Sequence, residues 1–239
     1  IVIMPIIKDI QLLVPADMDQ NRLFFNQTRS ISFLYSRLLP KLHAKDDRGI
    51  QINCVENLEK VKQLDPYDHI IFNYFPVFVE VDVHGFLELS DRKKKVKTLE
   101  IVHEGMKLAA CEFNWDISLL DEVYEKVKQL DYQNIYPLIK KGSPNKKYVG
   151  SILCHHEVST IDVYMEIKKR NGKVVGKDKI FSVENTDEQD LFSEYWILVW
   201  KLNNKLEFAD NRFNNIYCLT FLEKDEPDQL VWKIKKINS

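Results

Sequence analysis

The sequence predicts an α+β fold: an N-terminal mixed α/β portion, a central helical hairpin and a C-terminal antiparallel β-sheet. Two observations carry this. Between Ser90 and Leu130 the apolar residues recur at helical spacing. From about Lys146 to Ile237 they alternate in short runs separated by turn residues.

The elements follow in order. Lys8–Val14 reads as a strand closed by Pro15, and Asp17–Asp19 supplies cap candidates for a helix that runs to about Leu39 and stops at Pro40. Ile50–Val55 is a short strand, and Asn57–Leu64 a short helix or turn before the breaker Asp65-Pro66. His69–Phe75 and Val77–Leu89 are rich in Val, Ile, Phe and Tyr and are expected as strands. Ser90 is a suitable N-cap for the first hairpin helix. Along it Val96, Leu99, His103, Met106, Ala110 and Phe113 stand 3, 4, 3, 4 and 3 residues apart, which aligns them on one stripe. Asn114–Asp116 breaks this helix, and a second runs from about Ile117 to Leu130 with Leu120, Val123, Val127 and Leu130 facing inward.

Pro137 and the basic loop Lys140–Lys147 mark the internal boundary. The expected division is residues 1–140, with the hairpin at about 90–131, and residues 141–239; whether the two pack as one unit is left open. Tyr148–Val158, Thr160–Lys169 and Val174–Val183 read as strands, with Asn171-Gly172 placed for a type I′ hairpin turn. Tyr195–Leu202, Lys205–Ala209, Asn215–Leu222 and Val231–Ile237 complete the sheet. The Tyr195–Leu202 run is apolar on both faces and is expected in the middle of it.

Composition excludes more than it identifies. The net charge of −2, from 34 basic and 36 acidic side chains, gives no global attraction to nucleic acid or to an anionic membrane. No run of about 18 apolar residues offers a membrane span. The start, Ile1–Val14, is broken by Lys8-Asp9 and lacks a basic leader, so it does not read as a signal peptide, and the cytoplasm is the expected compartment. Cys54, Cys111, Cys154 and Cys218 contain no CxxC pair and are expected as buried, reduced thiols.

Glycine is scarce, 7 in 239, and no GxGxxG or GxxxxGK[ST] loop is present to cradle phosphates, so no nucleotide cofactor is expected. There is no GxSxG elbow. His103-Glu104 opens like a zincin helix, but Lys107 stands where the second histidine is required. The stripe instead predicts His103 packed between the helical hairpin and a sheet. Cys154-His155-His156-Glu157 is the densest run of potential ligands. On a strand Cys154 and His156 point one way, His155 and Glu157 the other, so no more than two can share a metal without a distant residue such as Asp162. The expectation is therefore no metal and no catalytic residue. A hydrolase or metal enzyme using His155 and Glu157, or His103, is the competing reading.

Charged segments suggest an interface. The basic runs Arg92–Lys97, Lys140–Lys147 and Lys168–Lys173 read first as solvated faces and turns and second as contacts to an acidic partner, and the acidic segments Glu184–Asp190 and Asp225–Asp228 have the same two readings. The expected binding residues are Lys140, Lys141, Lys146, Lys147, Glu184, Asp187, Glu188 and Asp190, on two loops flanking one interface. The run HEGMKLAACEFNWDISLLDEVYEKVKQLDY, followed by a basic Ser-Pro-Asn-Lys-Lys loop and a β-meander, resembles bacterial proteins of the toxin-immunity type over Lys97–Phe181. That resemblance implies a non-enzymatic protein that neutralises a cognate toxin by binding it. It assigns no individual residue. The partner expected on both counts is another protein, with no specific nucleic acid and no membrane.

Overall fold

The computed structural model describes residues 6–15, 18–44, 47–63, 71–184, 186–188, 196–210, 215–223 and 230–238. Helices and strands are both abundant and the C-terminal strands are antiparallel, an α+β fold. The chain divides into two compact units, Ile1–Asn134 and Ile135–Ser239.

In the first unit three parallel strands, β1 (Asp9–Leu13), β2 (Gly49–Val55) and β3 (Tyr74–Glu80), lie in the order β1-β2-β3. Edge strand β3 carries Pro76, which a central strand could not hold without losing a ladder bond. One face of the sheet is apolar: Ile10, Leu12, Ile50, Ile52, Cys54, Val77 and Val79 are all buried. Against it pack α1 (Met18–Leu38) and α3 (Asp91–Phe113), followed by α4 (Ile117–Gln129). Gly105 lets α3 approach closely, since a Cβ there would meet the Ile52 side chain.

The patchy apolar face of α1 has a physical cause. Thr28, Arg29, Ser30 and Ser32 are buried with its apolar residues. The Thr28 and Ser32 hydroxyls donate back to the Phe24 and Thr28 carbonyls at 3.0 and 3.1 Å, which satisfies them without a tertiary partner. Asn114 closes α3 in the left-handed conformation at φ 54°, and Asp116 caps α4 by accepting the Ser118 N–H at 2.9 Å.

The strand expected over Val77–Leu89 ends at Glu80. Asp82 accepts the Gly85 N–H at 2.8 Å and starts α2 (Val83–Leu87), so a local side-chain cap overrides the β propensity of the valines. His69, Ile70 and the breaker Asp65-Pro66 lie outside the described residues.

The second unit is two four-stranded antiparallel sheets rather than one. β4 (Asn134–Gly142), β5 (Tyr148–His156), β6 (Ile161–Lys169) and β7 (Val174–Val183) form the first. β8 (Trp196–Leu202), β9 (Lys205–Asp210), β10 (Asn215–Glu223) and β11 (Leu230–Asn238) form the second, in the order β11-β10-β9-β8. Ile152, Cys154, Val163 and Met165 of the first share a core with Leu198, Phe208, Leu219 and Phe221 of the second. Gly150 permits the close approach, with Leu206 and Trp200 standing where its Cβ would be.

Three expectations are corrected here. Lys140 and Lys141 belong to strand β4, not to a loop between domains; the turn is confined to 143–147. Gly172 alone takes a positive φ, 88°, and Lys169 N–H donates to the Lys173 carbonyl, so the β6–β7 loop holds three residues instead of a two-residue type I′ turn. Strand β8 is an edge strand, with Leu198 and Trp200 inward and Ile197 exposed.

Candidate functional site

In a meander, alternate turns fall at the same end. The β4–β5 and β6–β7 turns of the first sheet therefore share an end, and the Arg170 N–H donates to the Lys147 carbonyl at 3.2 Å across them. The β8–β9 turn of the second sheet joins them: the Asn145 N–H donates to Asn203 Oδ1 at 3.0 Å, and Trp200 Nε1 donates to the Lys141 carbonyl at 2.9 Å. Two basic runs separated in sequence, Lys140–Lys147 and Lys168–Lys173, are thus merged at one end of the unit. Lys140, Lys141, Lys146, Lys147, Arg170 and Lys173 are exposed there. Glu166 and Glu207 offset part of this charge, through Lys168 at 2.9 Å and Lys205 at 3.0 Å. Lys146 is held at φ 61°, a conformation that glycine adopts at lower cost.

A cavity of about 230 Å³ opens among these turns. Asn145, Lys147, Asn203 and Asn204 supply its polar lining, and Tyr148, Phe221 and Leu222 its apolar lining. Sequence reasoning missed Asn145, Asn203 and Asn204. The parity of the turns was available as a signal; the pairing of the two sheets was not.

The acidic loop does not join the basic end. It follows β7 and so lies at the opposite end of the first sheet. Nor is it a solvated rim throughout. Glu184 is exposed and Asp187 half-buried, but Glu188 is buried, with Oε1 2.7 Å from Nδ1 of the equally buried His156. The pair ties the loop to the end of β5, and a carboxylate committed to an internal contact cannot steer a partner. Asp190 and the run Asp225–Asp228 lie outside the described residues.

Among the described residues His155 and Glu157 gather no third ligand. Cys154 and His156 face inward, as the alternation required, and the outward His155 has Lys177 Nζ 2.8 Å from Nε2 and the Tyr164 ring 4.3 Å away. Burial and the Lys177 charge hold its pKa below the usual histidine value. Asp162 is engaged by Lys179 at 2.8 Å and by the Ser182 hydroxyl at 2.7 Å. Glu157 is exposed beyond the strand. Among the described residues no group of three or more His, Cys, Asp and Glu side chains could hold a metal ion. Of the cysteines, Cys54, Cys154 and Cys218 are buried, whereas Cys111 is exposed.

His103 packs among three helices rather than against a sheet. Its Nδ1 lies 3.2 Å from the Tyr35 hydroxyl of α1, its Nε2 3.1 Å from Asp121 of α4, and its ring 4.5 Å from that of Tyr124. A neutral ring protonated at Nε2 donates to Asp121 and turns Nδ1 toward the Tyr35 hydroxyl, whose one proton also has the Leu120 carbonyl at 3.3 Å. Burial first, then the Lys107 charge, hold its pKa below the ordinary value, against the opposing pull of Asp121.

The sign of the pH effect follows. The unfolded chain binds the proton more readily, so this contribution to stability is complete above the unfolded pKa of about 6.5 and is lost as pH falls through the lower folded value. Between pH 7.5 and pH 5 the urea midpoint should fall, and His103→Gln should flatten that fall. Parallel titration curves for the two proteins would count against it.

No protein-family model and no curated protein sequence matches this chain. Among solved structures, KlHsv2 with loop 6CD replaced by a Gly-Ser linker is similar over 41% of this chain and 44% of that one, under half the length of either, at 8% identity and a TM-score of 0.25. A likeness of that size carries no argument about fold or function. Among the described residues no helix is long and apolar enough to cross a membrane.

Proposed function

We propose that the chain is a non-enzymatic protein-binding module of the immunity type, which neutralises a cognate toxin in the cytoplasm by covering an acidic surface on it. The observation that carries this reading is the gathering of Lys140 and Lys141, at the end of β4, with Lys146, Lys147, Arg170 and Lys173, on the adjoining turns, at one end of the second unit. Concentrated exposed charge of one sign steers association and fixes register, while a nearby cavity of mixed polar and apolar lining supplies the anchoring contact. The acidic loop plays no part in the contact on this reading, because Glu188 is turned inward onto His156.

Reversing Lys140, Lys141 and Lys146 to Glu should slow association with the cognate toxin by about tenfold or more at low salt. The difference should shrink toward 1 M salt, where the Debye length is about 3 Å. The unfolding midpoint should barely move, since all three side chains are exposed. Stopped-flow association across a salt series checks this. An unchanged rate at low salt would remove the basic end from the interface.

A further inference from the structure

We infer that the cavity at the basic end is an anchor site for a carboxylate flanked by an apolar side chain, presented by a protein partner; the inference rests on the protein-binding reading and names what that site recognises. Size comes first. At about 230 Å³ the cavity is below the roughly 300–1,000 Å³ typical of small-molecule sites, and suits one or two protruding side chains.

Hydrogen-bond capacity sets the chemistry. Asn145 Oδ1 accepts from the Ser143 hydroxyl at 2.7 Å and from the Lys147 N–H at 3.1 Å. Asn203 Oδ1 accepts the Asn145 N–H. A backbone N–H can only donate, so both amide orientations are decided by their neighbours. Asn145 Oδ1 takes two bonds inside the protein and Asn203 Oδ1 takes one, which orients both amides, and the Nδ2 groups are the sides these bonds do not engage; Lys147 lines the same cavity. Asn204 Nδ2 gives one of its two protons to the Phe221 carbonyl at 3.1 Å. A lining with three side-chain amides, two of them oriented by bonds to their oxygens, and one cation favours an acceptor-rich anion, and a carboxylate fits.

The remaining wall is apolar. Leu222, 64% exposed, offers its apolar surface directly, and Tyr148 and Phe221, which meet edge to face at 5.1 Å, are buried in the core of the unit. A phosphate would leave this wall unused. A carboxylate next to an aromatic or aliphatic side chain uses both halves, and the surrounding lysines complement an acidic segment carrying that pair.

The test is an NMR titration of the full chain with the peptide acetyl-Ala-Phe-Asp-Ala-amide. Two controls replace Asp by Asn and Phe by Ala. The side-chain amides of Asn145 and Asn203 and the Leu222 methyls should shift, with binding about tenfold weaker for each control. Lys147→Gln and Leu222→Ser, both on exposed residues, should each weaken binding by a similar factor while circular dichroism stays unchanged. No shift at these groups by about 10 mM peptide, or equal shifts with the Asn control, overturns the inference. The two readings also fail separately. If reversal of Lys140, Lys141 and Lys146 slows toxin association but Leu222→Ser leaves its affinity intact, the anchor site is wrong and the interface stands. If the Asp peptide binds selectively but association ignores the rim charges, the anchor chemistry stands and the toxin-binding reading falls.

Discussion

Replacing Arg29 with Met is expected to destabilise the first unit by about 3–5 kcal/mol, the cost of leaving a buried charge without its partner. Arg29 is fully buried, with Nη1 3.1 Å from Asp9 Oδ1 and 3.0 Å from the Ile10 carbonyl. Its guanidinium lies 3.8 Å from the centre of the Phe33 ring and 4.9 Å from that of Phe25, so the cation is held between a carboxylate and two aromatic faces. Met fills much of the volume but offers nothing to Asp9. Gln11 Nε2 at 2.8 Å and the Tyr74 hydroxyl at 2.7 Å would still donate to that carboxylate, without neutralising it. Denaturant unfolding measures the loss. Adding Asp9→Asn to Arg29→Met should recover part of it, because the remaining amide carries no charge to strand. A loss below about 1 kcal/mol for Arg29→Met would show that water or another cation serves Asp9 equally well.

Gly49→Ala is the second large effect, expected at about 2–4 kcal/mol from overpacking together with a weakened hydrogen bond to a charged group. Tyr74 of β3 lays its ring across Gly49 of the central strand to reach Asp9 of β1. A Cβ at position 49 would fall within that ring, and the ring cannot lift without giving up the Asp9 contact. Gly49→Ala combined with Tyr74→Ala should therefore cost less than the sum of the two single changes. Strict additivity in equilibrium unfolding would sink the explanation.

Neither effect was legible in the chain. Asp9 stands in an apolar run and Arg29 in a helix 20 residues on, and nothing in their spacing announces a pair. The alternation Asp9, Gln11 and Gln51, Asn53 was a usable signal: polar residues two apart on adjacent strands share a face. It marks a polar sheet face and leaves open whether that face is buried. Gln51 and Asn53 are buried nonetheless, with Gln51 Nε2 donating to Asn53 Oδ1 at 2.8 Å.

The candidate site divides in the same way. Lys140, Lys141, Lys146 and Lys147 are exposed, as their polarity predicts, whereas Glu188 is not, because His156 offers a buried partner that neutral accounting of loop composition cannot foresee. His103 was correctly placed on an inward stripe, but its neighbours came from helices rather than from a sheet, since α1 and α4 converge on it from positions distant in the chain.

By itself the sequence determined the local elements: the strand positions from β5 to β10, the helical stripe of α3, the break at Asn114 and the turn at Gly172. Each follows from period, propensity or a φ requirement that acts over a few residues. The tertiary structure decided what meets what. It made Trp196–Leu202 an edge strand, split the C-terminal strands into two sheets, brought two basic runs to one end and sent the acidic loop to the other. Those outcomes depend on which sheets pack and on the parity of the turns, long-range properties that no short window of residues contains.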